Sequence, residues 1–503
     1  MNIRAVDDPA DAEDSLPEGW VSAIVGDLVG LGSGKGLPKE KFSREQVPGG
    51  VIVGGAGGPI GWTQEANASS PVLTLGRVGA VGAINVYASD AWVTDNALIV
   101  TSSEPEIVRF LGHWFSQIAW TDLHTGSSQP LITQGLVKSL AINMPPLSEQ
   151  RRIADAVERL LARVEAGRAR LERMPAILKR FRQAVLAAAC SGRLTEDWRG
   201  QHPTVESADS MLARCVSESS SESEAGRRRR RRRGSGAQVV DPPDEIPAAW
   251  TVRTLSDLIT DRAVIEIQDG NHGELYPRSS EFGSEGAVFL TAKQVTDGRV
   301  LIDEAPKLSM EKAGRLRIGF ARSNDVLLTH NATVGRAAVL RDAPDPCLLG
   351  TSVTYHRLNL RFMDPDYYCQ FLRSPFWQDQ LAMVMEQTTR NQVPITKQVD
   401  LSVIVPPVDE QREIATRVKG LFGLADAVER RVAAARKQAD ALPQAILARA
   451  FSGKLVPTEA ELARREGRAY EPASALLERI RRERAELPRV RRGRGGGRGS
   501  GAR

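Results

Sequence analysis

Lys35 stands in Gly30-Leu-Gly32-Ser-Gly34-Lys35-Gly36, a spacing close to that of a phosphate-cradling nucleotide loop. Such a loop needs a first glycine and a hydroxyl after the lysine for magnesium. Val29 and Gly36 occupy those positions, so the segment reads as a turn or as a backbone approach to a DNA phosphate. Base methylation would need an Asp/Asn-Pro-Pro-aromatic box to stack on an extruded base. Asp241-Pro242-Pro243 continues with Asp244, Pro145-Pro146 with Leu147, and Pro406-Pro407 with Val408, so none supplies the ring. The six histidines show no HExxH-type spacing, and no spacing of carboxylates singles out a nuclease site. Cys190, Cys215, Cys347 and Cys369 lie far apart without a CxxC pair, which argues against zinc or a disulfide framework and fits a reducing cytoplasm. The chain itself is therefore expected to be non-catalytic and to carry no cofactor or metal.

What remains suits nucleic acid: glycine turns with Arg or Lys for phosphates, and Asn, Gln, Arg and His for base edges. The candidates are Lys35, Lys39, Arg44, Arg77, Ser127, Ser128 and Gln129 in the first half. In the second they are Asn271, His272, Lys293, His330, Asn331, Arg336, Arg390, Asn391 and Gln392. The alternative for each is an ordinary solvated or turn residue. Net charge does not decide the matter. The chain carries +5, but Arg227 to Arg233 are seven consecutive arginines and Arg489 to Arg503 include six more; without these thirteen the remainder stands at −8. Composition is that of a soluble globular protein, with 41% hydrophobic and 26% charged residues. No apolar run approaches the ~20 residues of a membrane span, and the acidic start (Asp7, Asp8, Asp11, Glu13, Asp14) is unlike a secretory signal. A cytoplasmic protein without a membrane partner is expected.

The elements that position these side chains are written twice. Pro145-Pro146-Leu-Ser-Glu149-Gln150-Arg151-Arg-Ile153-Ala154 returns 261 residues later as Pro406-Pro407-Val-Asp-Glu410-Gln411-Arg412-Glu-Ile414-Ala415, and the offset holds to Ser191-Gly192 against Ser452-Gly453. Related loops precede each copy (Ser128 to Thr133, Asn391 to Thr396). Each half opens alike, with Leu16-Pro17-Glu18-Gly19-Trp20 and Ile246-Pro247-Ala248-Ala249-Trp250, whose tryptophans read as core anchors. Both repeats read as helices with a heptad seam. The first seam holds Ile153, Val157, Leu160, Val164, Leu171, Met174, Leu178, Phe181 and Val185. The second holds Ile414, Val418, Leu421, Ala425, Val428, Val432, Ala435, Ala439, Leu442 and Ile446. Two matching seams in one chain favour mutual pairing over packing on separate domains. Pro175 and Pro443 should kink or interrupt the helices, and Gly192 and Gly453 should end them.

The intervening regions are rich in Val, Ile, Thr and Gly and read as short strands with a few helices, such as Glu106 to Ile118. Leu75-Gly-Arg77-Val-Gly79-Ala-Val81-Gly82 faintly matches Leu328-Thr-His330-Asn331-Ala-Thr-Val334-Gly335. The expected organisation is a disordered acidic segment over 1–15, a domain over 16–144, a helical spacer over 145–200 and a disordered Ser/Glu- and Arg-rich linker over 201–245. A second domain over 246–405, a second spacer over 406–456 and a helical then Arg/Gly-rich tail over 457–503 follow.

This order, a variable domain, a PPLxEQRxIA-type helix, a second variable domain and a PPxxEQRxIA-type helix, resembles the specificity subunit of Type I restriction–modification systems over roughly 16–200 and 246–456. Gly126 to Pro130, Trp92 to Asn96, Gln268 to Gly273 and Thr329 to Gly335 add to the match. The arginine run, acidic start and Gly-Arg tail depart from it. The resemblance implies an α/β (α+β) fold: two target-recognition domains separated by two long helices that form an antiparallel coiled coil, with a pseudo-two-fold repeat. Each domain would read half of a bipartite, asymmetric site in double-stranded DNA. The helices would set the gap and dock two modification (methyltransferase) subunits, with restriction (translocase–nuclease) subunits joining. S-adenosylmethionine, ATP and magnesium would belong to those partners. Glu149, Gln150, Arg151, Glu410, Gln411 and Arg412 are candidates for partner docking as well as for capping. The alternatives are a methylation-only system, a structural scaffold that reads no DNA, or a methyltransferase or nuclease in its own right.

Overall fold

The computed structural model describes residues 16–123, 131–222, 246–296, 298–386 and 391–486. The chain forms two compact units, one from residues 1–172 with 434–503 and the other from 173–433. Each combines one sheet-rich domain with a length of both long helices, Leu147–Cys190 and Val408–Phe451.

The first unit is built on a four-stranded antiparallel sheet. Its spatial order is Gly30–Ser33, Ala97–Thr101, Val72–Gly76, Ile84–Tyr87. A three-stranded sheet lies beside it, in which Val51–Gly55 pairs antiparallel with Gly58–Thr63 and parallel with Ala91–Val93. The helix foreseen at Glu106 to Ile118 runs Pro105–Ser116 and buries Phe110, Trp114 and Phe115. Val21–Ile24 pairs with Ala141–Met144, so the domain's two chain ends meet where the long helix begins.

The second unit repeats this plan. Its four-stranded sheet runs Val264–Asp269, Val353–Leu358, Val326–Thr329, Ala337–Val339. Ala287–Leu290 pairs parallel with Cys347–Leu349 in a five-stranded sheet, and Thr251–Thr254 closes the domain against Ser402–Val405.

The long helices pair antiparallel within each unit. Arg152 reaches Glu459 and Arg168 reaches Asp440 in the first, whereas Arg182 reaches Asp426 and Arg417 reaches Asp197 in the second. Ile153, Val157, Leu178, Val185, Ile414, Val418, Ala425 and Ala439 are buried, as the seam requires. Leu442 is not; at 45% exposure it lies off the seam, and the buried Leu447 and Ala450 continue the packing. Neither proline interrupts its helix; each of the two helices runs 44 residues. Pro175 leaves the Leu171 carbonyl without its helical N–H, and the Arg436 guanidinium donates to that oxygen at 2.9 Å instead.

The disordered linker expected after the first spacer is overturned over part of its length. The linker placed over 201–245 is helical from Ala208 to Glu222, with Ala208, Met211, Leu212 and Cys215 buried. It matches Ala473–Glu486, whose Ala473, Leu476, Leu477 and Ile480 are buried at the same spacing. The backbone N–H of Ala208 donates to Ala249 O at 2.8 Å and that of Ala473 to Gly19 O at 3.0 Å, so each helix docks on its own domain's opening segment. The acidic segment 1–15, the arginines 227–233 and the tail beyond Glu486 lie outside the described residues. No described helix is long and apolar enough to cross a membrane.

Candidate nucleic-acid interface

In each unit, loops converge at one end of the four-stranded sheet with the same backbone hydrogen bonds. In the first domain the chain leaves the strand Gly30–Ser33 through Gly34, whose N–H donates to Ala97 O at 3.1 Å, and Lys35, whose N–H donates to Val93 O at 2.9 Å. In the second it leaves Val264–Asp269 through Gly270, bonded to Val353 O at 2.9 Å, and Asn271, bonded to Leu349 O at 2.7 Å. A Cβ on Gly34 or on Gly270 would lie 2.1 Å from a facing carbonyl oxygen, so the strand exit requires glycine in both. The near-nucleotide loop of the first domain and Gln268 to Gly273 of the second are thus one structural element.

The hairpins of the faint sequence match also coincide. Gly76 N donates to Ala83 O and Gly82 N to Gly76 O, both at 2.8 Å; Thr329 N donates to Arg336 O and Gly335 N to Thr329 O, again at 2.8 Å. Ile132 N donates to Arg77 O at 3.1 Å and Val393 N to His330 O at 2.9 Å. Lys35 therefore corresponds to Asn271, Arg77 to His330 and Ser33 to Asp269.

The side chains there differ. Lys35 is exposed and Arg77 half-buried, with Nη1 3.4 Å from Ser33 Oγ and an enclosed Nε that has no hydrogen-bond partner among the described residues. A 470 Å³ cavity opens beside it, lined by Gly36, Phe42, Val53, Ile60, Thr94 and Asn96 among others. In the second domain, His330 is 3% exposed. Its Nδ1 lies 2.7 Å from Thr354 Oγ1, and that hydroxyl donates to Asp269 Oδ1 at 2.9 Å, so Nδ1 carries the ring proton. Burial lowers the His330 pKa; Asp269, 3.7 Å from Nε2, works against the shift. Asn271 is likewise buried and donates to Leu349 O at 3.0 Å. Neither side chain can reach DNA as expected; both hold the loops that carry the exposed candidates.

Those exposed candidates are His272, Lys293, Arg336 and Asn391, with Asn331 and Gln392 half-buried and bridged to each other. Ala332 N donates to Asn391 O at 3.1 Å, and Ala292 N to Ser352 Oγ at 3.1 Å, which draws the loops into one cluster. Lys39 and Arg44 are exposed elsewhere, on the segment that Ser43 bridges to Trp62. Ser127, Ser128, Gln129 and Arg390 lie outside the described residues. Sequence reading missed Ser33 and Asp269, whose only signal is the glycine that follows each.

The helix motif is mostly not a docking surface. Glu149, Gln150, Glu410 and Gln411 are all buried. Glu149 accepts from Trp20 Nε1 at 3.0 Å and Glu459 N at 2.8 Å; burial raises its pKa, and these donors oppose the rise. Glu410 accepts from Trp250 Nε1 at 2.7 Å, Thr195 Oγ1 at 2.7 Å and Arg199 Nη1 at 2.5 Å. Gln150 and Gln411 donate to Pro145 O and Pro406 O, each at 2.8 Å. The repeated Trp and Glu-Gln landmarks are two ends of one buried contact, which confirms the tryptophans as core anchors. Arg151 and Arg412 alone of the six are exposed. Among the described residues no three His, Cys, Asp or Glu side chains are grouped to hold a metal.

A family model described as the Type I restriction modification DNA specificity domain matches residues 17–173. The chain is 30% identical over 353 residues to the Type I restriction enzyme EcoKI specificity subunit of Escherichia coli (strain K12), covering 68% of this chain and 64% of that protein. It is 29% identical over 351 residues to the EcoBI specificity subunit of Escherichia coli, with the same shares. The matched part thus spans less than two thirds of the length of these two relatives. The EcoDI specificity subunit of Escherichia coli is 27% identical over 488 residues, 93% of this chain and 96% of that one. The crystal structure of the HsdS subunit from Thermoanaerobacter tengcongensis shares the fold at a TM-score of 0.55 and 18% identity, covering 87% of this chain and 98% of that one.

Proposed function

This chain belongs to the family of Type I restriction–modification specificity subunits, and from that membership we propose that it reads a bipartite, asymmetric site in double-stranded DNA, one half-site per sheet-rich domain, without performing chemistry itself. One observation carries the reading: the two domains hold the same glycine-exit loop and hairpin at the same end of the same sheet, but fill them with different side chains. Equivalent scaffolds with different polar surfaces are what reading two unlike half-sites requires. Lys35, Arg77 and the segment 127–129 would serve the first half-site. His272, Lys293, Asn331, Arg336 and 390–392 would serve the second.

The paired helices act as the ruler between the half-sites, and Arg151 and Arg412 are the members of the repeated motif left to meet partner subunits. Those partners are two modification subunits and the restriction subunits, which carry S-adenosylmethionine, ATP and magnesium; the complex works in the cytoplasm. The test is to map methylated adenines in DNA from cells that hold this chain with its modification subunit. The expected result is two half-sites with a fixed gap. Exchange of residues 17–144 or 247–405 for a relative's domain should change one half-site only, and a swap that rewrites both would overturn the reading. A seven-residue insertion after Val164 keeps the seam in phase and adds about 10 Å, so the gap should grow by at most ~3 base pairs.

A further inference from the structure

The helix Leu147–Cys190 divides its surface into three stripes. One is the seam. A second holds Glu158, Glu165 and Glu172, seven residues apart. The third holds Arg159, Arg163, Arg170, Arg173 and Arg180, all exposed. At 100° per residue these five arginines fall within about 100° of arc, roughly 120° round from the seam. Other arginines of the helix are engaged: Arg152 with Glu459 at 2.5 Å, Arg168 with Asp440 at 2.8 Å and Arg182 with Asp426 at 2.7 Å. None of the five makes an ion pair with a described residue.

We propose that this arginine stripe binds the phosphate backbone of the duplex between the two half-sites. The inference rests on the DNA reading proposed above and adds a contact to it. Length supports it: from Arg159 to Arg180 the helix rises about 31 Å, close to the ~34 Å turn of B-DNA. Charge supports it too. The stripe is of one sign, while the chain outside the two arginine-rich segments is net negative, so attraction to a polyanion must be local. A protein partner would want an apolar or aromatic anchor at the centre of the patch. Ile177, 51% exposed, lies toward one end with charged neighbours.

The test replaces the five arginines with glutamine (R159Q, R163Q, R170Q, R173Q, R180Q) in the full chain, which keeps helix propensity. DNA affinity is measured across a salt series, alone and with the modification subunit, on the site recognised by the unaltered chain. Each phosphate released removes about 0.9 from the slope of log K against log salt, so the slope should become shallower by up to about 4.5 with the preferred sequence unchanged. An unchanged slope overturns the proposal. So does loss of the modification subunit at an unchanged slope, which would assign the stripe to an acidic protein surface. If the five-fold variant does not fold, R163Q with R170Q should lower the slope by about 1.8. Failure of the unaltered chain to prefer any bipartite site is a different result, and removes the DNA reading itself.

Discussion

Arg77 and His330 occupy the same point of the same hairpin, one in each domain, and behave in opposite ways. Arg77 keeps a half-buried guanidinium whose enclosed Nε has no hydrogen-bond partner among the described residues. His330 turns inward and holds Thr354 and, through it, Asp269. Lys35 and Asn271 repeat the contrast at the strand exit, one exposed and one buried. The backbone bonds at both points agree to within a few tenths of an ångström, from 2.9 against 2.7 Å at the exit to 3.1 against 2.9 Å at the hairpin. Main-chain geometry and side-chain role are therefore separable here. The scaffold fixes where a loop stands, and the packing beneath it decides whether the residue there points at a ligand or at the core.

The largest expected effect tests the buried Trp–Glu contact that both units share. Glu410 neutralises Arg199 in addition to accepting from Trp250 and Thr195, whereas Glu149 accepts only N–H donors from Trp20 and Glu459. Glu410→Ala should cost about 3 kcal/mol or more, because it leaves a mostly buried guanidinium without its carboxylate. Glu149→Ala should cost ~1–3 kcal/mol. Denaturant unfolding of the two variants checks this, and equal losses would erase the distinction between the units.

Acid comes next. Burial lowers the His356 pKa to about 4, with Gln398 opposing the shift and His330 adding to it. A depressed histidine contributes stability above its unfolded pKa near ~6.5 and loses it as pH falls toward the folded value. The second unit should therefore lose up to roughly 3 kcal/mol between pH 6.5 and 4 from this residue. His113 of the first unit is also lowered by burial, but Glu158 opposes that shift. Hydrogen exchange resolved by unit should show the second unit weakening first, and His356→Gln should flatten its acid limb. Parallel loss in both units would contradict the assignment.

Exchange of the hairpin residues should be unequal. His330→Arg forces a longer, charged side chain into a packed site and should cost ~1–3 kcal/mol, while Arg77→His at a half-buried position should stay within about 1 kcal/mol. Thermal unfolding decides it. The remaining effects are in DNA binding and leave stability nearly unchanged. Arg77→Gln should relax one position of the first half-site by about 10- to 100-fold, the value of one bidentate contact. Lys35→Gln should weaken all sequences alike and lower the salt slope by about 0.9. A changed second half-site in either variant would show that the domains do not read separately.

Several features are legible in the residues alone: the 261-residue repeat, the two seamed helices, the tryptophan anchors and the faint match of 75–82 with 328–335. Each is a matter of spacing along the chain, and spacing fixes which face of a helix or strand a side chain joins. Others are not. Glu149 and Gln150 look like surface residues of a first helical turn, yet they are buried, because Trp20 arrives from 129 positions away to receive one of them. Ala208 to Glu222 has the polar composition of a linker, but its Ala, Met, Leu and Cys fall on one face that the domain's opening segment covers. Asn271 and His330 carry the groups suited to base edges, and Leu349 and Thr354 claim those groups first. Pattern alone determined the repeat and its helices. Burial of a polar group depends on a partner brought in from distant sequence, so only the tertiary structure decided which polar residues face outward.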